Sequence, residues 1–116
     1  MKIDTTYLNL DYLRLMADDD EDTIQTMLGM LLEELPEEFE KIKTCYLEKN
    51  WSELHSVSHK MKSTLAFVGN EELTAANKEI ERLAKEGTDL ERIEELLAAM
   101  DDVMPLVMEE LQGISS

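Results

Sequence analysis

Apolar residues recur three and four positions apart through most of this chain, from Ile24 to Leu111, and the pattern breaks only at Lys49-Asn50, Gly69-Asn70 and Gly87-Thr88-Asp89. That spacing is the helical one, because residues three or four apart share a helix face. Sheet is disfavoured by the same sequence. Strands draw on β-branched and aromatic residues and turns on Gly, whereas aromatics are 5% here and Gly numbers four.

The pattern predicts four long helices. The first runs from about Asp20 to Lys49, with Ile24, Met27, Leu28, Leu31, Leu32, Leu35, Phe39, Ile42 and Tyr46 as its stripe. Pro36 removes one amide hydrogen bond there, but the stripe stays in phase across it, which predicts a kink and not a break. The second helix spans 51–69, capped by Asn50 in preference to Ser52 and stopped by Gly69. The third covers 71–86, with Leu73, Ala76, Ile80 and Leu83 inward and Gly87 at its end. The fourth, 89–112, is capped by Thr88 or Asp89 and bent at Pro105, and 113–116 form a frayed tail. Ahead of these, Leu10, Leu13 and Met16 predict about two turns capped by Asn9, too short to stand alone. Tyr7 and Leu8 serve as an apolar anchor before them. Asp18-Asp19-Asp20-Glu21-Asp22 lacks the Gly turn and alternating ligands of a Ca²⁺ loop and reads as a solvated linker feeding a helix N-terminus. Connections this short predict an all-α, antiparallel up-down-up-down four-helix bundle with a short additional N-terminal helix, as one domain over 1–116.

The formal charge of −16 excludes nucleic acid and anionic membrane surfaces as partners, since both need a basic footprint. No apolar run approaches the ~18 residues that span a bilayer, and no signal-peptide core is present. Cys45 is alone, so no internal disulfide forms. The expectation is a soluble, cytoplasmic monomer.

Residues 51–69 depart from this background. Among 27 Asp and Glu in the chain, none falls within 54–70, where the only charges are Lys60 and Lys62 and both histidines sit nearby. On a helical wheel Leu54, Val57, Ser58, Met61, Leu65 and Val68 fall on one side. His59 falls opposite, flanked by Ser52, His55, Lys62, Ser63 and Ala66. Four roles are open to it. It is an idle surface histidine, or with His55 at i, i+4 it forms half of a zinc site, although no third ligand lies within a turn and two lysines oppose a cation. It is the base of a serine nucleophile, although no carboxylate in the window orients it. Or its ring accepts a phosphoryl group, which requires an exposed neutral nitrogen, a nearby cation and little surrounding bulk. Lys62 supplies the charge, and Ser63 and Ala66 the clearance.

The sequence His59-x-Met61-Lys62-Ser63-Thr64, with Val68-Gly69 closing the helix and spaced leucines from Leu73 to Leu83 after it, resembles the histidine-containing phosphotransfer (HPt) domains of bacterial two-component phosphorelays. Ser63 stands where the family usually has Gly and Ser58 where Ala is common, and Leu65 and Phe67 are bulkier than usual. The resemblance implies a phosphocarrier without turnover of its own. His59 would take a phosphoryl group from a receiver-domain aspartate and pass it to another receiver aspartate, with Lys62 balancing the phosphate. Response-regulator receivers or a hybrid histidine kinase are the implied partners. No cofactor is needed in this chain, and Mg²⁺ is expected on the receiver. His55, Lys60, Ser63, Ala66 and Phe67 are the expected docking surface. Counting back along the antiparallel third helix from Gly69 puts the stretch from Asn77 to Glu81 level with His59, and Glu81 is the candidate there to orient its ring. The rival is a non-catalytic acidic helical interaction module.

Overall fold

The computed structural model describes residues 6–115 and contains five helices: α1 (Asp11–Met16), α2 (Glu21–Leu47), α3 (Trp51–Val68), α4 (Glu71–Glu86) and α5 (Leu90–Ile114), with no strand among those residues. The breaks in the apolar pattern are where the helices end. Asp20 caps α2, its carboxylate accepting from the Thr23 amide at 3.0 Å and the Thr23 hydroxyl at 2.7 Å. Asn50 caps α3 through the Glu53 amide at 3.3 Å, and Asn70 caps α4 through the Leu73 amide at 3.0 Å. Each side chain satisfies a donor that the first helical turn leaves without a partner. Gly69 and Gly87 end α3 and α4 in the left-handed conformation, with φ of 70° and 69°.

Gly69 is held there for a second reason. The Asn9 amide donates to the Val68 carbonyl at 3.0 Å, and a Cβ on Gly69 would stand 2.2 Å from the Asn9 carbonyl oxygen. The segment before α1 therefore crosses the end of α3 in contact with bare backbone. Its other attachment is the Glu110 carboxylate of α5, which accepts from the amides of Thr6 and Tyr7. Leu8, expected as an anchor, is buried, and Tyr7 packs against the core.

The four long helices form a closed ring, with α3 against α2 and α4, and α5 against α4 and α2. The bundle measures 46 × 22 × 19 Å, its long axis close to the roughly 40 Å that a helix of α2's length spans. Leu28, Leu35, Ile42, Leu54, Met61, Leu65, Leu73, Ile80, Ile93 and Met100 are sealed inside. α2 continues through Pro36 and α5 through Pro105 without a break.

Several local expectations are corrected. α1 begins after Leu10, not Asn9, although Asn9 Oδ1 does accept from the Asp11 amide at 3.0 Å. Met16 is exposed, because α1 is too short to turn it back to the core that holds Leu13. Asp89 holds the N-cap position of α5, but at φ 52° its side chain makes no capping bond. α5 runs on to Ile114, so Gly113 is helical. The ends of the expected domain, residues 1–5, and of the expected tail, Ser116, lie outside the described residues.

Candidate functional site

Ser58 and Asn77, both fully buried, set α3 against α4. The Ser58 hydroxyl lies 2.8 Å from Asn77 Oδ1 and 3.0 Å from its carbonyl oxygen, and Asn77 Nδ2 donates to the Ser58 carbonyl at 3.0 Å. A buried amide is costly unless satisfied, so this reciprocal pairing admits one register between the helices. His59 follows Ser58 directly, and Glu81 lies one turn beyond Asn77.

The register brings His59, Lys62 and Glu81 together. His59 is 66% exposed at its side chain, while that of Glu81 is 12% exposed. Glu81 Oε2 is 2.9 Å from His59 Nδ1, and Glu81 Oε1 is 3.3 Å from Lys62 Nζ. Burial alone would raise the Glu81 pKa. Hydrogen bonds from His59 and Lys62 and their charges outweigh it, and the net shift is downward. An ionised carboxylate only accepts, so Nδ1 carries the proton and donates it. In the neutral ring the lone pair then belongs to Nε2, which has no protein partner among the described residues.

His55, expected on the docking surface, is half-buried, and its Nδ1 donates to the Glu81 backbone carbonyl at 3.2 Å. The two imidazoles thus grip the same residue of α4, one by its carbonyl and one by its carboxylate. Their ring centroids are 6.3 Å apart. No group of three or more His, Cys, Asp or Glu among the described residues is arranged to hold a metal.

Lys60, Ser63 and Ala66 are exposed on the same helix. Phe67 is half-buried and stacks on Tyr12 with centroids 5.3 Å apart and planes 26° apart. Beside it lies an apolar hollow of about 150 Å³ that Met27, Met30 and Leu31 line from α2. Leu65, by contrast, is in the core.

Three features of the site were missed in the sequence. Asn77 sits on the apolar face of α4 in phase with Leu73 and Ile80, and that phase was the available signal. Lys78, Arg82 and Lys85 recur at four- and three-residue spacing, one face of α4, and line a groove that also holds His55, His59 and Lys62. Glu79 and Glu81 line the same groove, and Arg82 is paired with Glu79 and Glu86, so Lys78 and Lys85 are its cations without an ion pair among the described residues. The third is Glu38, which is 8% exposed and buried beside the stripe of α2. No pattern marks it among the other acids of that helix.

The Hpt domain family matches residues 26–113 of the chain. Among solved structures, the chain resembles the HPT domain of the Hpt sensor hybrid histidine kinase from Shewanella, with 30% identity and a TM-score of 0.71. That match covers 95% of this chain and 97% of the other. No curated protein matches the chain.

Proposed function

The chain belongs to the Hpt domain family, with the histidine phosphotransfer role that membership carries, and from that premise we propose that His59 is its phosphoacceptor. A receiver domain presents a phospho-aspartate to the exposed face of α3. The Nε2 lone pair of His59 attacks phosphorus in line with the acyl phosphate. An N–P bond forms as the P–O bond to the aspartyl carbonyl breaks, and the electron pair leaves with the aspartate carboxylate. The proton on Nδ1 stays in place, so the ring becomes a phosphoimidazolium whose positive charge faces Glu81. A second receiver's aspartate reverses these steps and leaves the neutral ring behind.

Lys62 balances the phosphoryl oxygens during transfer, when charge spreads over them. Its 3.3 Å contact with Glu81 supports this role by keeping the ammonium beside the ring. His55 is a positioning residue that holds Glu81 from behind. Lys60, Ser63, Ala66 and Phe67 belong to the surface the receiver covers. Mg²⁺ is assigned to the receiver, and the carrier works as a cytoplasmic monomer without turnover of its own.

The observation that carries the proposal is the 2.9 Å contact between His59 Nδ1 and Glu81 in a ring otherwise open to solvent. The test is incubation with a receiver phosphorylated on its aspartate. Acid-labile label should appear on the wild-type chain and be absent from His59→Gln. A chain acting only through its helix faces would bind the receiver and take no label, and transfer surviving in His59→Gln would refute the assignment.

A further inference from the structure

On the opposite side of His59 from that groove, α2 and α3 enclose an open cavity of about 510 Å³. Glu34, Glu37 and Glu38 line it from α2, with Lys41 at one end, and Lys60 and Thr64 line it from α3. Glu38 differs from its neighbours. It is more than nine-tenths buried, and its Oε1 is covered without any hydrogen-bond partner. Lys41, three residues along the helix, turns to Glu37 at 3.6 Å instead. Lys60 across the cavity makes no ion pair with any described residue.

A buried carboxylate oxygen without a donor is costly, and most such groups in folded proteins are satisfied. An apolar residue at position 38 would suit the helix better, since Leu35, Phe39 and Ile42 around it are all in the core. A donor can reach only the oxygen that is not covered, from the cavity side, where Glu34 and Glu37 favour a positive one. Rotation about the last torsion of the side chain, which is broad and roughly two-fold, only exchanges the two oxygens, so one faces the cavity while the other stays covered.

We infer that Glu38 is the floor of a cation seat that receives an arginine or lysine side chain of the docking receiver. The identity of the partner rests on the phosphocarrier reading above; the seat itself rests on Glu38. The two flanks of His59 then differ in the charge they leave unpaired. On α4's side Lys78 and Lys85 are without an ion pair among the described residues and suit the anionic phospho-aspartate pocket, and on α2's side Glu38 with Glu34 takes a cation. A partner with that charge pair docks in one orientation only. With one oxygen of Glu38 covered, the seat takes a single charge-assisted hydrogen bond, which either cationic side chain can donate.

The probe is the receiver domain of the source genome that labels the wild-type chain fastest after phosphorylation by acetyl phosphate. In single-turnover transfer, Glu38→Gln should raise the half-saturating concentration of that phospho-receiver, here its KM, about tenfold, as loss of one partner of a desolvated charge pair does, with the maximal transfer rate changed less than about twofold. The melting temperature of Glu38→Gln should not fall, which a merely structural role for Glu38 would require. Should that variant fold poorly, Glu34→Gln with Glu37→Gln, both at exposed positions, should still raise KM. Lys60→Met separates an internal partner from an external one. With an external cation, Glu38→Gln raises KM by the same factor in a Lys60→Met background as in the wild-type background. An unchanged KM in Glu38→Gln overturns the inference, as does loss of the Glu38→Gln effect in the Lys60→Met background. Either result leaves the phosphocarrier reading standing so long as His59→Gln abolishes label, and residual label on His59→Gln defeats that reading separately.

Discussion

Nδ1 of His59 and Oε2 of Glu81 are 2.9 Å apart, and the second oxygen of the same carboxylate is 3.3 Å from Nζ of Lys62. One α4 side chain therefore orients the ring of α3 and holds the cation beside it. Glu81→Ala should slow phosphorylation of His59 on the order of tenfold, the effect of removing a carboxylate that orients a histidine. Glu81→Gln should recover part of that loss, because its amide oxygen still accepts from Nδ1. Single-turnover label transfer checks both, and an unchanged rate in Glu81→Ala would remove Glu81 from the site.

Lys62→Ala should leave the His59 ring in place and reduce the transfer rate, whereas Lys62→Arg should retain most of it. The expected loss is about a hundredfold, at the low end for removing one group that stabilises developing charge. Rapid-quench measurement at saturating phospho-receiver isolates this effect from docking.

The His59–Glu81–Lys62 cluster also makes stability depend on pH. Glu81 titrates below its ordinary 4.5 in the folded chain, since its hydrogen bonds outweigh burial. A depressed carboxylate contributes stability above its unfolded pKa and loses it as pH falls through the folded value. Asp20 and Glu79 are lowered too, by hydrogen bonds to Thr23 and Arg82, and act in the same direction. Urea unfolding of wild type and Glu81→Gln should therefore differ at neutral pH and converge as pH falls below 4.5.

Ser58→Ala should cost about 1–3 kcal/mol, because it strands the buried Asn77 oxygen without its donor. Replacing both partners, in Ser58→Ala with Asn77→Leu, should recover much of the loss, since two apolar groups strand nothing. Denaturant titration of the single and double variants gives the coupling. Additive losses would mean the pair does not act as a unit.

The bundle was legible because its helix ends rest on local chemistry: Asn50, Asn70 and the two left-handed glycines act on their own neighbours. The failures share a cause. Asp89 is a capping residue by type, but the turn after Gly87 puts its backbone where the side chain cannot reach. Met16 has helical spacing, yet nothing packs over the end of so short a helix. The level of Asn77 to Glu81 followed from counting along two antiparallel helices. The Ser58–Asn77 pairing that fixes that level did not, because it depends on which side chains meet across the interface. Glu38 was illegible for the same reason: its burial depends on what packs against α2.

The central claim is that phosphate goes to Nε2 of His59 because Glu81 holds Nδ1. Phosphorus–nitrogen NMR correlation on ¹⁵N-labelled chain, phosphorylated through a receiver, tests it most directly. The account predicts one phosphohistidine, at residue 59, with phosphorus bonded to Nε2 and the proton on Nδ1. Phosphorus on Nδ1, or on any other residue, would contradict it.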